Sequence, residues 1–243
     1  MVTMSVPPSV AVVLAVKRLD DAKSRLASAV PSADRRRSLV TAMLTDTLGA
    51  VRDAGVDRVV VVSPDPNVHA VVADHGALAL DEPAPDDPGL DRTPLNAALA
   101  HGIAAVAPDA EFVAALQADL AALDAETLAD ALTAAAEAID RGAPAAFVAD
   151  RAGEGTSMLV VRATKPPAPR FGPMSAAAHR AAGAVELDPG GLRWNRLRTD
   201  VDTPADLTAA IGLGVGPATR SALAAPRHAD AGNLSADRTA HCR

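Results

Sequence analysis

An acidic residue that follows an apolar run is the first candidate for chemistry in this sequence. Asp119 comes directly after the run FVAALQA, which begins at Phe112, and a stretch compatible with a helix starts just beyond it. In an open α/β sheet, ligands bind at the carboxyl ends of strands, where a carboxylate can hold a divalent cation. Asp119 could equally cap the helix that follows, and its spacing alone does not separate these two interpretations.

A second carboxylate lies near the end of the predicted fold, in the segment DVDTPADL that begins at Asp200. Either Asp202 or Thr203 can cap a helix that has Pro204 in its first turn. That arrangement leaves the Asp200 carboxylate free to bind a metal ion.

Basic residues are concentrated after the first strand-like run, VAVVLAV, which spans Val10 to Val16. The next segment, KRLDDAKSRL, contains the cations Lys17, Arg18, Lys23 and Arg25. Such a group can neutralise a polyphosphate, since Arg offers a bidentate fork and Lys a point charge. The alternative is an ordinary solvated basic loop.

Two further segments contain groups that can meet an anion. The turn Gly-Glu-Gly-Thr ends at Thr156, whose hydroxyl and neighbouring backbone amides are candidate donors. Gly172 and Ser175 precede a predicted helix, with Ser175 as the expected N-cap, and a helix N-terminus favours anions. His179 falls inside that helix, where a histidine is more often structural than catalytic.

Alternating strand and helix patterns must position these residues, and the alternation predicts an α/β sheet. Continuous apolar runs predict buried strands, and amphipathic periodicity predicts the helices. A Pro/Asp/Gly-rich segment, 81–93, is expected to be a loop, either a lid or base-recognition loop or a solvated connection. The predicted strands are 10–16, 58–62, 77–80, the run at 112 and 145–150, and the predicted helices are 38–54, 94–106 and 125–139.

Composition restricts the class of protein. A chain of 243 residues with 49% hydrophobic residues can bury a substantial core, and its formal net charge of -7 argues against general nucleic-acid affinity. Charges interrupt every apolar run well before about 18 residues, so we expect no membrane span and a cytoplasmic protein. The lone cysteine, Cys242, leaves no disulfide framework. We expect a flexible start over 1–9, one folded domain over 10–216 and a disordered tail over 217–243.

Taken together, these residues suit metal-assisted phosphoryl or nucleotidyl transfer. Mg²⁺ needs only one or two protein carboxylates when substrate phosphates supply other ligands, and two Asp residues from separate strands would meet that need. The sequence has no GxxxxGK[ST] motif, so P-loop chemistry is not supported.

Seven segments, in this order and spacing, resemble the 2-phospho-L-lactate/phosphoenolpyruvate guanylyltransferase family of coenzyme F-420 biosynthesis. The resemblance covers roughly residues 10–220 and implies a single Rossmann-like nucleotidyltransferase domain, with a mixed, mostly parallel sheet and helices on both faces. A Lys/Arg segment replaces the usual Gly-rich nucleotide loop in that family. The segments are VKRLDDAKSRL, SPD, PLNAAL, LQADLAAL, FVADRAGEGTSML, RFGPMSAAAHRAAGAVEL and DVDTPADLTAAIGLGVGPAT.

The resemblance also implies roles for individual residues. Metal ligands for one or two Mg²⁺ ions are expected at two positions, Asp119 and Asp200, and the sequence does not decide between Asp200 and Asp202 for the second. Contacts with the phosphorylated acid are expected at Thr156, Gly172 and Ser175. Catalytic and nucleotide contacts, around the GTP phosphates, are expected at Lys17, Lys23 and Arg25, and a looser match places Asn96 near the nucleoside.

The implied reaction transfers GMP from GTP to phosphoenolpyruvate and releases pyrophosphate. A 2-phospho-L-lactate or 3-phosphoglycerate acceptor is the nearest alternative; a metal-dependent glycosyltransferase and a non-catalytic nucleotide-binding protein are more distant ones. The family commonly has Asp-Leu-Pro where this chain has Ala121 in the third position, which bears on loop rigidity more than on the metal ligand. A homodimer and transfer of the product to the next F-420 pathway enzyme are also expected.

Overall fold

The computed structural model of the chain describes residues 9–21, 23–84 and 93–225. Its centre is a sheet of seven strands in the order β3-β2-β1-β4-β6-β5-β7. Strand β6 runs antiparallel to both of its neighbours, and the other described pairings are parallel, which confirms the predicted mixed, mostly parallel sheet. The strands are β1 Val10–Ala15, β2 Arg58–Val62, β3 Leu78–Leu80, β4 Phe112–Leu116, β5 Ala145–Ala149, β6 Thr156–Arg162 and β7 Val185–Glu186.

Helices cover both faces of this sheet, as predicted. One apolar cluster joins the sheet to α1 and α4, and a second joins the opposite face to α3 and α5. The helices are α1 Ala33–Asp53, α2 Pro66–Asp74, α3 Pro94–Val106, α4 Ala125–Asp140, α5 Ser175–Ala181, α6 Asn195–Arg198, α7 Pro204–Leu213 and α8 Pro217–Ala224. Among the residues described, no helix combines the length and the apolar character needed to cross a membrane.

The continuous apolar runs form strands because both faces of the sheet are covered by helices. Every residue of β4 is buried, and so is every residue of β1 except the last, Ala15, which is partly exposed. Helix α3 approaches β1 so closely that a Cβ built on Gly102 would lie 2.5 Å from Val13 Cγ1. A glycine is therefore required at that point of contact.

The position of the site follows from the strand order. Strand β1 lies between β2 and β4. After β1 the chain adds β2 and β3 on one side of it, and it then crosses over to add β4 on the other side. The carboxyl ends of two such neighbouring parallel strands enclose a crevice. The basic segment after β1 and Asp119 after β4 both begin at this crevice.

The tail prediction is wrong over the part that the structure describes. Residues 217–224 form α8, whose first-turn amides donate to the buried Asp46 carboxylate, from Ala218 N at 3.0 Å and Thr219 N at 2.8 Å. Asp46 lies on α1, 172 residues away from Ala218, so no local sequence pattern indicates this cap. Residues 226–243, with Cys242, lie outside the described residues, as do 1–8 and most of the predicted loop 81–93.

Candidate active site

A cavity of about 770 Å³ opens at the carboxyl ends of β1 and β4. This volume is within the range of about 300–1,000 Å³ that is usual for ligand sites. Residues that the sequence analysis selected from distant parts of the chain line this cavity together. They are Lys17, Lys23, Arg25, Asp119, Thr156, Gly172, Ser175 and Asp200.

Three acidic residues, Asp119, Asp200 and Asp202, form a carboxylate cluster in this wall. The Lys23 ammonium forms ion pairs with Asp119 and with Asp202, the latter at 2.5 Å. Burial opposes the charge of Lys23, but the two carboxylates outweigh it, and the pKa of Lys23 is raised above its ordinary value. Burial and the charges of Asp119 and Asp202 raise the pKa of Asp200 to about 7, against the opposing effect of Lys23.

The structure excludes one of the two interpretations of Asp119, the helix cap. The N-cap of α4 is Asp124, which accepts from Thr127 N at 2.9 Å, so Asp119 does not cap that helix. One oxygen of Asp119, Oδ1, is buried and has no hydrogen-bond partner among the described residues. A buried carboxylate oxygen without a donor is costly unless a ligand satisfies it.

Of the two residues predicted to cap the helix that begins at Pro204, Asp202 and Thr203, the structure confirms Thr203. Thr203 caps α7 in a capping box with Asp206, so Asp200 takes no part in the cap. Asp202, the other predicted cap, instead reaches Lys23. The sequence left Asp202 open as an alternative second metal ligand, but it did not indicate the ion pair with Lys23.

No group of three or more His, Cys, Asp or Glu side chains with the arrangement of a metal site occurs among the described residues. A complete protein cage is therefore absent from this part of the chain. A site that relies on substrate phosphates needs fewer protein ligands, as is usual for Mg²⁺.

The basic segment after β1 presents its cations in two environments. Lys17 and Arg25 are exposed at the cavity, whereas Lys23 is largely buried in the carboxylate cluster. Lys23 has a left-handed backbone, with φ of 58°, just before the short 3-10 helix Ser24–Ser28. The buried Leu26 anchors that helix to the core. The segment is therefore part of the folded domain, and only some of its cations are solvated.

Thr156 and Ser175 bring two hydroxyl groups together in the wall of the same cavity. Ser175 Oγ donates to Thr156 Oγ1 at 3.0 Å, and His179 Nδ1 lies 3.0 Å from the same Thr156 oxygen. The predicted N-cap role of Ser175 is wrong, because Ser175 is the first residue of α5 and Met174, with φ of 57°, occupies the cap position. The Ser175 hydroxyl instead bonds across to β6.

Several backbone amides that the sequence offered to an anion already have acceptors. Ser175 N donates to Gly172 O at 3.1 Å, and Ala176 N donates to Glu154 O at 3.0 Å. In the Gly-Glu-Gly-Thr turn, Glu154 N donates to Asp150 Oδ1 at 3.0 Å. These three amides are therefore not free to donate to an anion.

Asn96 does not lie in the cavity wall with the other predicted residues. Its Nδ2 donates to Phe171 O and to Thr93 Oγ1, both at 2.9 Å, and its Oδ1 accepts from Phe171 N at 2.7 Å. Both amide hydrogens are therefore used inside the protein. Asn96 holds the segment before Gly172 in place, and its predicted contact with the nucleoside stays a prediction.

Comparison with known protein families gives a match over most of the chain. Residues 10–223 match the family described as Guanylyl transferase CofC like. A phosphoenolpyruvate guanylyltransferase of Mycobacterium sp. (strain KMS) is 48% identical over 218 residues, which cover 90% of this chain and 93% of that relative. A protein of the same name from Mycolicibacterium paratuberculosis is 46% identical over 217 residues, covering 89% of this chain and 93% of the relative.

Solved structures with similar folds are more distant in sequence. A nucleotidyl transferase from Methanothermobacter thermautotroptrophicus has a TM-score of 0.55 at 16% identity, covering 85% of this chain and 98% of that one. A cytidylyltransferase from Leptospira borgpetersenii has a TM-score of 0.51 at 14% identity, covering 82% and 83%. At such identities the similarity shows the fold alone.

Proposed function

The chain belongs to the Guanylyl transferase CofC like family, and from this premise we propose that it transfers GMP from GTP to phosphoenolpyruvate, with release of pyrophosphate. One observation supports the proposal most directly: the basic segment, the carboxylate cluster and the Thr156–Ser175 hydroxyl pair all line the same cavity. The named relatives, which share nearly half of their residues with this chain, support phosphoenolpyruvate as the acceptor. The expected product belongs to the biosynthesis of coenzyme F-420.

The proposed reaction is an in-line displacement at phosphorus. A phosphate oxygen of the acceptor bonds to the α-phosphorus of GTP as the bond from that phosphorus to the bridging β-oxygen breaks, and pyrophosphate leaves. The acceptor phosphate is largely ionised near neutral pH, because its second pKa is about 6. The reaction therefore needs no general base from the protein.

In this proposal the protein contributes charge and position. Lys17 and Arg25, exposed at the cavity, neutralise the triphosphate, and Lys23 holds the carboxylates that lie beside it. Fixed cations next to the reacting phosphorus stabilise the charge that develops in the transition state. Thr156, Gly172 and Ser175 line the wall where we place the phosphorylated acid.

We propose that the carboxylate cluster, together with substrate phosphates, holds one or two Mg²⁺ ions. Asp119 Oδ1 is buried without a protein donor among the described residues, and the Lys23 ammonium lies where a cation would neutralise Asp119 and Asp202. We therefore propose Asp119 and Asp200 as ligands. When bound, Mg²⁺ would neutralise phosphate charge on the nucleotide. A homodimer, a cytoplasmic location and transfer of the product to the next F-420 enzyme stay predictions of the sequence.

Pyrophosphate release by the purified protein tests the proposal. GTP and Mg²⁺ are supplied with phosphoenolpyruvate, 2-phospho-L-lactate, 3-phosphoglycerate or no acceptor, and ATP replaces GTP in a parallel series. We expect release with GTP and phosphoenolpyruvate, and none without an acceptor. Release with another acceptor alone would correct the substrate, and no release with any acceptor would contradict the proposed function.

Replacing Thr156 with Val is expected to weaken acceptor binding and leave GTP binding nearly unchanged. The substitution keeps the shape of the side chain but removes a buried hydroxyl at the proposed acceptor wall. A hydrogen bond to a charged group contributes about 1.5–3 kcal/mol, so the acceptor KM should rise about 10- to 100-fold. Steady-state kinetics with each substrate varied in turn measures the effect.

The variant Thr156→Ser is the matched control, because it retains the hydroxyl and loses only a methyl group. Its acceptor KM should stay close to that of the wild type. An unchanged acceptor KM in Thr156→Val would remove this residue from the acceptor site.

A further inference from the structure

His179 lies behind the Thr156–Ser175 hydroxyl pair and is almost completely buried, with 2% of its surface exposed. The rings of Phe147 and Phe171 pack against its imidazole, each with a centroid distance of 5.6 Å. It lies outside the cavity wall, so any effect on a substrate must pass through another residue.

The hydrogen bonds around His179 determine its tautomer. The backbone amide of Arg170 lies 3.2 Å from Nε2. A backbone N–H can only donate, so Nε2 must be the unprotonated, accepting nitrogen of the ring. Burial, with the positive charge of Arg170, lowers the pKa of His179 to about 4, so the ring is neutral near pH 7. The single ring proton of the neutral imidazole is therefore on Nδ1.

The tautomer determines how many hydroxyl hydrogens the pair has left for a ligand. Thr156 and Ser175 carry one hydroxyl hydrogen each, and one of the two is used in the bond between them. If Nδ1 accepted a hydrogen bond, Thr156 would donate to it and Ser175 would donate to Thr156, leaving no hydrogen. Because Nδ1–H donates to Thr156 Oγ1 instead, one hydroxyl hydrogen of the pair remains available.

We propose that His179 is a positioning residue for acceptor binding: its Nδ1–H directs the remaining hydrogen of the Thr156–Ser175 pair toward an anionic oxygen of the phosphorylated acid. Both hydroxyl-bearing residues line the cavity, so a ligand bound there lies beside the pair. The inference rests on the proposed function, since it assigns the acceptor to this wall.

Two substitutions separate positioning from simple structural support. In His179→Asn the side-chain amide falls near the place of Nδ1, so it can still donate to Thr156 but loses the acceptor for Arg170 N. In His179→Gln the amide oxygen can reach the place of Nε2 and accept from Arg170 N, but the donor to Thr156 is lost. Each variant therefore keeps one of the two bonds of the histidine.

Steady-state kinetics of these variants tests the inference. We expect His179→Gln to raise the acceptor KM at least about tenfold with little change in the GTP KM, and His179→Asn to stay within about threefold of the wild type. In a Thr156→Val background, His179→Gln should add no further loss, because the histidine acts through that hydroxyl. A purely structural role predicts the reverse order of the two variants, and that result would overturn the proposal.

An NMR measurement on the wild-type protein decides the same point without turnover and without a variant that must fold. Correlation of the ring carbon-bound protons with the ring nitrogens identifies the protonated nitrogen of His179. A proton on Nδ1 supports the proposal, and a proton on Nε2 overturns it. Failure of the proposed function would appear separately, as the absence of pyrophosphate release by wild-type protein with every acceptor.

Discussion

The variant Asp119→Asn is expected to lose more than about 100-fold in kcat while it stays folded. Loss of an outer hydrogen-bond partner of a metal ligand typically costs 10- to 100-fold, so loss of a ligand itself should cost at least as much. Asn has nearly the same shape, and it removes one charge from a cluster in which the carboxylates already repel each other. Lys23 loses its pair with Asp119 but keeps the one with Asp202, so the free energy of unfolding should fall by less than in Lys23→Met.

Pyrophosphate release and thermal unfolding with and without Mg²⁺ test this prediction together. Wild-type protein should show a higher Tm in Mg²⁺, because a ligand that binds only the folded state stabilises it, and Asp119→Asn should lose much of that increase. Asp124→Asn is the matched control, since Asn caps a helix as well as Asp does. Full turnover in Asp119→Asn would remove this carboxylate from the metal site.

The same pair of measurements on Asp200→Asn and Asp202→Asn identifies the second ligand. Asp200 is the more buried of the two, and burial with the charges of Asp119 and Asp202 raises its pKa, so a bound cation would favour its ionised form. Asp202 has 53% of its side chain exposed and already pairs with Lys23. We therefore expect the larger loss of the Mg²⁺ effect in Asp200→Asn.

The fold was predictable where burial imposes a pattern on consecutive residues. The apolar run at 112–116 became a strand at the predicted place, because a strand covered on both faces must be apolar throughout. The capping signal at Thr203 is equally local. Helix α8 was missed because the carboxylate that caps it, Asp46, is distant in the sequence.

The candidate site was predictable as a set of residue types and only in part as a set of contacts. The carboxyl ends of neighbouring parallel strands meet, and this rule places Asp119 beside the basic segment. The sequence does not indicate that a left-handed backbone at Lys23 directs its ammonium toward the carboxylates. Nor does it indicate that the Asn96 side chain is hydrogen-bonded to the backbone of Phe171. Such contacts depend on tertiary packing, for which a single sequence carries no periodic signal.

The variant Lys23→Met is expected to be less stable than the wild type in the absence of Mg²⁺, and to recover when Mg²⁺ is added. Removing one partner of a buried ion pair typically costs about 3–5 kcal/mol. Because Asp202 is half exposed, we expect about 2–3 kcal/mol here, which lowers Tm on the order of 5–10 °C. Mg²⁺ replaces the missing charge and no longer competes with an ammonium, so its effect on Tm should exceed that in the wild type.

The exposed Lys17 provides the matched control, because it lines the same cavity but is not buried in the carboxylate cluster. Lys17→Met should raise the GTP KM and leave Tm nearly unchanged with or without Mg²⁺. Lys23→Met should also lower kcat about 100-fold if the ammonium stabilises the transferring phosphate. Stability equal to that of the wild type without Mg²⁺ would contradict the charge-compensating role. Reduced stability with unchanged kcat would instead restrict Lys23 to that role and leave the phosphate contacts to Lys17 and Arg25.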